Sequence, residues 1–460
     1  MNMQSDFPAA PPPGCPAHGS GKRVPLYGTE FAADPGAYYT YMRSYGPAAP
    51  VELSPGVEAT LVTDYSAALQ LLQNPDTFRK DSRRWRDYNE GKVTRDNPVV
   101  PLLEYRPNCM FTDGAEHMRL RQAVTDSLAR VDTHRLSRHV ERVADYLMDQ
   151  FLSRGSADLL NDYAKLLPLF VFNELFGCPA EIGDRVIFGI SGIFDGINAE
   201  KANEVLGQSV GELVALKRKQ PGDDVTSWLM QHHAQLNDEE MAHQLVLLLG
   251  AGAEPQRNLI ANALLLLLSD ERYAGAGLLV EDALDDVLWN SPPMANYAPH
   301  YPVTDVDFAG TRLRAGELVL ISIAAANSDP ALSASRQQLS KRAHLAWSAG
   351  PHACPAKDTS QLIGVVAIEK LLNKLPDIEL AVPESSLTWR PGPFNRGLTA
   401  LPARFTPIRT EKSPLRSNRS PRATIAPTPR TSRRRAACGV RSSHGGERDL
   451  GHIGNPFHTA

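Results

Sequence analysis

The chain of 460 residues contains no run of about 18 apolar residues, the length that spans a bilayer. Its first residues, with Pro8 to Pro13 and Cys15-Pro16, lack the basic and apolar segments of a secretory leader. A cytoplasmic protein with no membrane partner is therefore expected. Cysteine is scarce: Cys15, Cys109, Cys178, Cys354 and Cys438 stand at no paired spacing. Neither a disulfide framework nor a zinc site is suggested, and a reducing compartment fits best. No Gly-x-Gly-x-x-Gly follows a strand, so the chain has no fingerprint for holding a nicotinamide dinucleotide itself. No internal repeat is visible. What is present is ordinary for a globular protein, 42% hydrophobic and 22% charged, with length for one large domain or two.

The net charge of −4 hides an asymmetry, because Arg409 to Ala460 holds eleven Lys/Arg against three Asp/Glu. This tail carries +8 and residues 1–408 carry −12. Rich in Ser, Pro, Arg and Thr, the tail has little to bury and is expected to be disordered. A nucleic-acid arm is conceivable, but a solvated tail is the favoured reading, and no nucleic-acid partner is expected. The expected organisation is a loose segment over 1–22, a folded domain over 23–408 and the basic tail over 409–460.

Within the folded part, one stretch stands out: Trp347-Ser348-Ala349-Gly350-Pro351-His352-Ala353-Cys354-Pro355-Ala356. Pro355 pushes Cys354 into an extended conformation and suits the first position of a helix. Leu362, Ile363, Val365, Val366, Ile368, Leu371, Leu372 and Leu375 then recur at helical spacing. A sulfur at a helix N-terminus is biased toward thiolate, the form that ligates metal. The bland reading is a buried structural cysteine.

Upstream, Asp34 to Pro47 reads as a capped helix, Val51 to Leu53 and Glu58 to Val62 as two strands about a Pro-Gly turn, and Asp64 onward as a helix. His117 and Arg121 stand four apart, so on a helix they share a face and can grip one anion; a solvated helix face is the alternative. From Val131 to about Gln220 successive helices are expected, with turns at Gly155, Gly177 and Gly192. A long apolar helix is expected over Asp238 to Ser269, with Asn237 as N-cap and Glu240 as its box partner. Small residues Gly250, Ala251 and Gly252 would admit a flat ligand, and Pro255 would kink the helix and free the Ala251 carbonyl. Thr304 to Ile321 reads as strand, turn and strand, and Phe394 to Phe405 as a hairpin.

In that order these segments resemble bacterial cytochromes P450, over about residues 25–408. The cysteine stretch resembles the family's Phe-Gly-x-Gly-x-His-x-Cys-x-Gly: Gly350, His352 and Cys354 match, while Trp347, Ser348 and Ala356 depart. Ala251, Gly252 and Glu254 match Ala-Gly-x-(Asp/Glu)-Thr, but Pro255 and Gln256 follow where the family has its alcohol. Asp286 and Trp289 stand where the family has Glu-x-x-Arg, and Trp289 is expected to pack in place of the guanidinium. A minority of bacterial members share this kind of replacement.

The resemblance implies a mainly α protein with a small β-sheet region, the cytochrome P450 fold. It implies haem b (iron protoporphyrin IX) with Cys354 as metal ligand, and a cofactor site of His117, Arg121, Ala251, Gly252, His300, His352 and Cys354. Glu254 and Gln256 are the implied catalytic groups, Gln256 or an ordered water standing in for the lost alcohol. The implied activity is insertion of one oxygen atom from O2 into a small hydrophobic substrate of secondary metabolism, with electrons from a ferredoxin and its reductase. The departures keep two alternatives open: a peroxide-driven or non-redox haem enzyme, and a non-catalytic haem- or ligand-binding relative.

Overall fold

The computed structural model describes residues 23–195, 199–273, 279–332 and 339–408. The N-terminal segment 1–22 and the basic tail 409–460, read above as disordered, lie outside the described residues.

Two kinds of sequence build two parts. Helix-period apolar stretches give α1 (Gly114–Leu128), α2 (Thr133–Asp149), α3 (Leu166–Leu175), α4 (Ala180–Asp195), α5 (Ala199–Lys219), α6 (Asp238–Ser269), α7 (Val280–Asn290) and α8 (Lys357–Lys374), among shorter ones. Helix α6 is capped as expected: Asn237 Oδ1 accepts from the Glu240 N–H (2.9 Å) and Glu240 Oε2 from the Asn237 N–H (3.0 Å). It is apolar on several sides because α3, α4, α5, α7 and α8 all pack on it. Its Leu245, Leu249, Leu259, Ile260 and Leu264 lie in the largest buried cluster.

Alternating stretches give a six-stranded sheet in the order β1-β2-β3-β6-β5-β4, comprising β1 (Val24–Pro25), β2 (Ala48–Ser54), β3 (Val57–Val62), β4 (Phe78–Arg79), β5 (Asn296–Pro302) and β6 (Val319–Ser322). The first expected hairpin is β2–β3, antiparallel from Ala48↔Val62 to Glu52↔Glu58. Pairing of β4 with β5, Phe78↔Pro302 and Arg79↔Tyr301, brings residue 80 beside residue 300. That juxtaposition matters for the site.

Two expectations are corrected. Gly192 lies inside α4 rather than at a turn, since the apolar residues on both sides keep their helical period. Phe394 to Phe405 is no regular hairpin: a single bridge, Trp389↔Leu398, closes the loop, while Pro402–Arg404 pairs with Glu379–Leu380 and Ser156–Asp158 in a separate sheet. Pro393 and Pro402 each lack the N–H that a continuous ladder needs. Among the described residues no helix is long and apolar enough to cross a membrane.

Candidate active site

Cys354 follows a one-turn segment, Gly350–His352, and its N–H donates to the Trp347 carbonyl oxygen (2.8 Å), closing the loop. Gly350 has φ of 68°, and a Cβ there would stand 2.2 Å from the Leu72 carbonyl oxygen, so the turn requires glycine. The helix expected from Pro355 begins at Lys357, because Ala356 (φ −108°, ψ 15°) lies outside the helical well. The sulfur therefore sits farther from the helix end than the sequence implied. Burial pushes its thiol up, opposed by the Ala356 N–H, Arg121 and Lys357. In the chain alone the thiol is favoured, and a bound metal ion would deprotonate it.

Facing the sulfur is a cavity of about 770 Å³, part of it open to solvent, between the cysteine loop and the middle of α6. Ala251, Gly252, Pro255 and Gln256 line one side, Trp347 and Cys354 the other, and Phe172, Phe176 and Ile363 help make its walls apolar. A second cavity, of about 860 Å³, shares Ala251, Pro255 and Met294 with the first. Two voids meeting there leave Ala251 exposed in the middle of a core helix. Gly252 lines the first cavity and has a second use. A Cβ on it would stand 2.7 Å from the Phe172 ring, so its missing side chain seats Phe172.

Five basic side chains converge beside the cysteine loop. His117 Nδ1 is 2.8 Å from the Cys109 carbonyl oxygen and Nε2 3.2 Å from that of Pro351; its ring stacks 3.8 Å from His352. Arg121 donates to the carbonyl oxygens of Pro351 and Ala353. His300, on β5, pairs through Nδ1 with the Ala298 carbonyl (2.7 Å). Lys80, which nothing in the local sequence marks, completes the group. Its backbone N–H is fixed on Asp113 at the start of α1 (3.0 Å), and β4–β5 pairing sets it next to His300.

None of the five forms an ion pair with a carboxylate among the described residues. Burial, with Lys80 close by, holds His300 and His352 well below the ordinary histidine range. Burial likewise lowers His117 and brings Lys80 down to about 7, with Asp113 opposing. Lys80, His117, His300 and His352, whose protonation burial opposes, gather with the Arg121 guanidinium into a cluster that suits an anion.

The two residues assigned to oxygen chemistry are engaged elsewhere. Glu254, 3% exposed, pairs with Arg390 and with Arg257 (3.3 Å) and accepts from Asn258 Nδ2 (3.1 Å). It lines a separate pocket of about 210 Å³ with Lys165 and Ser191, away from the sulfur. Gln256 reaches the first cavity, but its Nε2 donates to the Ser360 carbonyl oxygen (3.1 Å) and its Oε1 accepts from the Ser360 hydroxyl. Neither Arg390 nor Ser360 could be paired from sequence, standing 136 and 104 residues away.

Where an ion pair was missing from the sequence, packing and shorter-range polar contacts replace it. Trp289 is buried, donates Nε1–H to the Lys341 carbonyl oxygen (2.5 Å) and meets His344 edge to face at 5.7 Å. Asp282 pairs with the Lys341 ammonium, so the segment before the cysteine loop is tied to α7 twice. Asp286 faces outward to Tyr273 (2.9 Å) and Arg272 (3.3 Å). His344 is buried with neither ring nitrogen hydrogen-bonded, and burial lowers it to about 4.

An apolar void, one thiol facing it and basic groups gathered at the loop that carries that thiol together suit a flat, apolar, dicarboxylated macrocycle carrying a metal. The comparisons agree. The chain is 32% identical over 401 residues to the cytochrome P450 monooxygenase PikC of Streptomyces venezuelae, covering 82% of this chain and 92% of that one. It is 31% identical over 366 residues to the mycinamicin IV hydroxylase/epoxidase of Micromonospora griseorubida, covering 75% and 89%. Among solved structures, CYP154C4 from Streptomyces sp. W2061 superposes with a TM-score of 0.74 at 27% identity, covering 83% of this chain and 97% of that one. No family model matches the chain. The chain belongs to the cytochrome P450 family. Its cofactor is haem, and its activity is that of an oxygen-incorporating monooxygenase.

Proposed function

We propose that Cys354 is the ligand of the haem iron and that Lys80, His117, Arg121, His300 and His352 receive the haem carboxylates. The cavity of about 770 Å³ facing a single thiol is the observation that carries this reading. Bound there, haem supplies the dioxygen activation by which one oxygen atom enters a C–H bond of a small hydrophobic substrate.

The chain's own groups hold and shield it. Arg121 fixes the cysteine loop through two carbonyl oxygens, and Phe172 and Phe176 keep water from the apolar wall. Ala251 and Gly252 keep bulky side chains off the face of the macrocycle. Gln256, bonded at both ends to Ser360, is a positioning residue that sets the spacing of α6 and α8. Glu254, paired with Arg390 and Arg257, ties the Pro255 turn of α6 to the loop that carries Arg390. Electrons come from NAD(P)H through a ferredoxin and its reductase.

The test is the absorption spectrum of the reduced, carbon-monoxide-treated protein. Wild type is expected to give the red-shifted band of a thiolate-ligated haem, and Cys354→Ser to lose it; a band absent from wild type, or unchanged in the variant, would sink the assignment. One observation favours a second reading. With Pro255 in place of the alcohol and the Gln256 amide engaged by Ser360, a peroxide-driven reaction would need no proton relay at that position. Turnover with hydrogen peroxide but none with dioxygen and the ferredoxin system would select it.

A further inference from the structure

The second cavity, of about 860 Å³, carries information about its ligand in the charges on its wall. Among the described residues that line it there is no Asp, Glu, Lys or His, and the one charged side chain is Arg106. Two of the other polar groups are already engaged. Tyr297 donates its hydroxyl to the Leu102 carbonyl oxygen (2.6 Å). Asn108 accepts from the N–H groups of Met110 (3.0 Å) and Phe111 (3.3 Å) and donates to the His243 carbonyl oxygen (3.4 Å).

Arg106 is only partly engaged. Its Nη2 meets Glu104 Oε1 at 2.9 Å and the Pro101 carbonyl oxygen at 3.5 Å, and neither Nε nor Nη1 has a hydrogen-bond partner among the described residues. A guanidinium offers five N–H donors in a planar fork that matches a carboxylate. Glu104 is 37% exposed, and a pair with one partner so open to water competes weakly.

We propose, resting on the haem reading above, that the substrate is a lipophilic carboxylic acid whose carboxylate is held by Arg106. Because Arg106 lines the second cavity and not the one facing Cys354, the acid group lies at the far end. The apolar end then reaches the junction at Ala251, Pro255 and Met294. The same wall discriminates against cations, since it offers an ammonium no counter-charge and one guanidinium to repel it.

The test uses three twelve-carbon probes on the haem-loaded protein: dodecanoic acid, dodecan-1-ol and dodecyltrimethylammonium. Dissociation constants come from ligand-induced absorption changes in wild type and Arg106→Gln. The acid is expected to bind at least about tenfold more tightly than the alcohol in wild type, and the ammonium more weakly than either. In Arg106→Gln that preference should vanish while the alcohol's affinity stays within about twofold. An acid bound no better than the alcohol, or a preference surviving in Arg106→Gln, would overturn the proposal. The carbon-monoxide band is recorded on the same samples. Its absence from wild type counts against the haem reading, whereas its presence without acid preference counts against this inference alone.

Discussion

Among the described residues, two regions hold largely buried histidines that make no ion pair with a carboxylate, and they differ in what surrounds them. Beside the cysteine loop, His117, His300 and His352 converge with Lys80 and Arg121. Under α7, His344 stands against Trp289 in filled core with both nitrogens unpaired. Burial depresses the basicity of both sets. The physical symptom is the same, but its origin is not. Several bases gathered at the loop of a cavity-facing thiol point to an anion that arrives with a ligand. One base against an indole points to a polar network replaced by packing, a trade that can be neutral or stabilising.

The largest effect should come from the packed side. Trp289→Ala removes a buried indole and its bond to Lys341, and is expected to cost about 3–5 kcal/mol, read from denaturant unfolding of the haem-loaded protein. Trp289→Phe, which keeps much of the packing, should cost about 1–2 kcal/mol. A loss under about 1 kcal/mol in Trp289→Ala would mean that the indole replaces nothing.

Lys80→Met tests the other side. Removing one charge-assisted contact is expected to speed transfer of haem to an acceptor protein about tenfold, with Lys80→Arg close to wild type. Unchanged haem loss in Lys80→Met would take Lys80 out of the carboxylate site.

The smallest effect concerns His344. Its folded-state pKa of about 4 lies below the ordinary histidine value of 6.5. The unfolded chain therefore binds the proton first as pH falls, and this group makes the protein less stable between about pH 6.5 and 4. His344→Phe should match wild type within about 1 kcal/mol at pH 7 and lose less stability on acidification. Equal acid sensitivity in both would place the cause elsewhere.

The contrast also explains what could be read from the chain. The boundaries of α6 were legible because its cap is local: Asn237 and Glu240 are three residues apart. The cysteine loop was legible because Gly350, His352 and Cys354 lie together. Lys80 was not, since its meeting with His300 depends on pairing of β4 with β5 across more than two hundred residues. The pairing of Glu254 was not legible either, because Arg390 reaches it from a loop closed by one bridge. Gly252, read as room for a ligand, also seats Phe172, a contact between α6 and α3 that no local pattern encodes.

Iron-edge X-ray absorption of the haem-loaded protein tests the central claim most directly, with wild type and Cys354→Ser measured side by side. A sulfur atom bonded to iron in wild type and missing from the variant is the expected result. A nitrogen- and oxygen-only shell in wild type, or sulfur at the same distance in both, would contradict it.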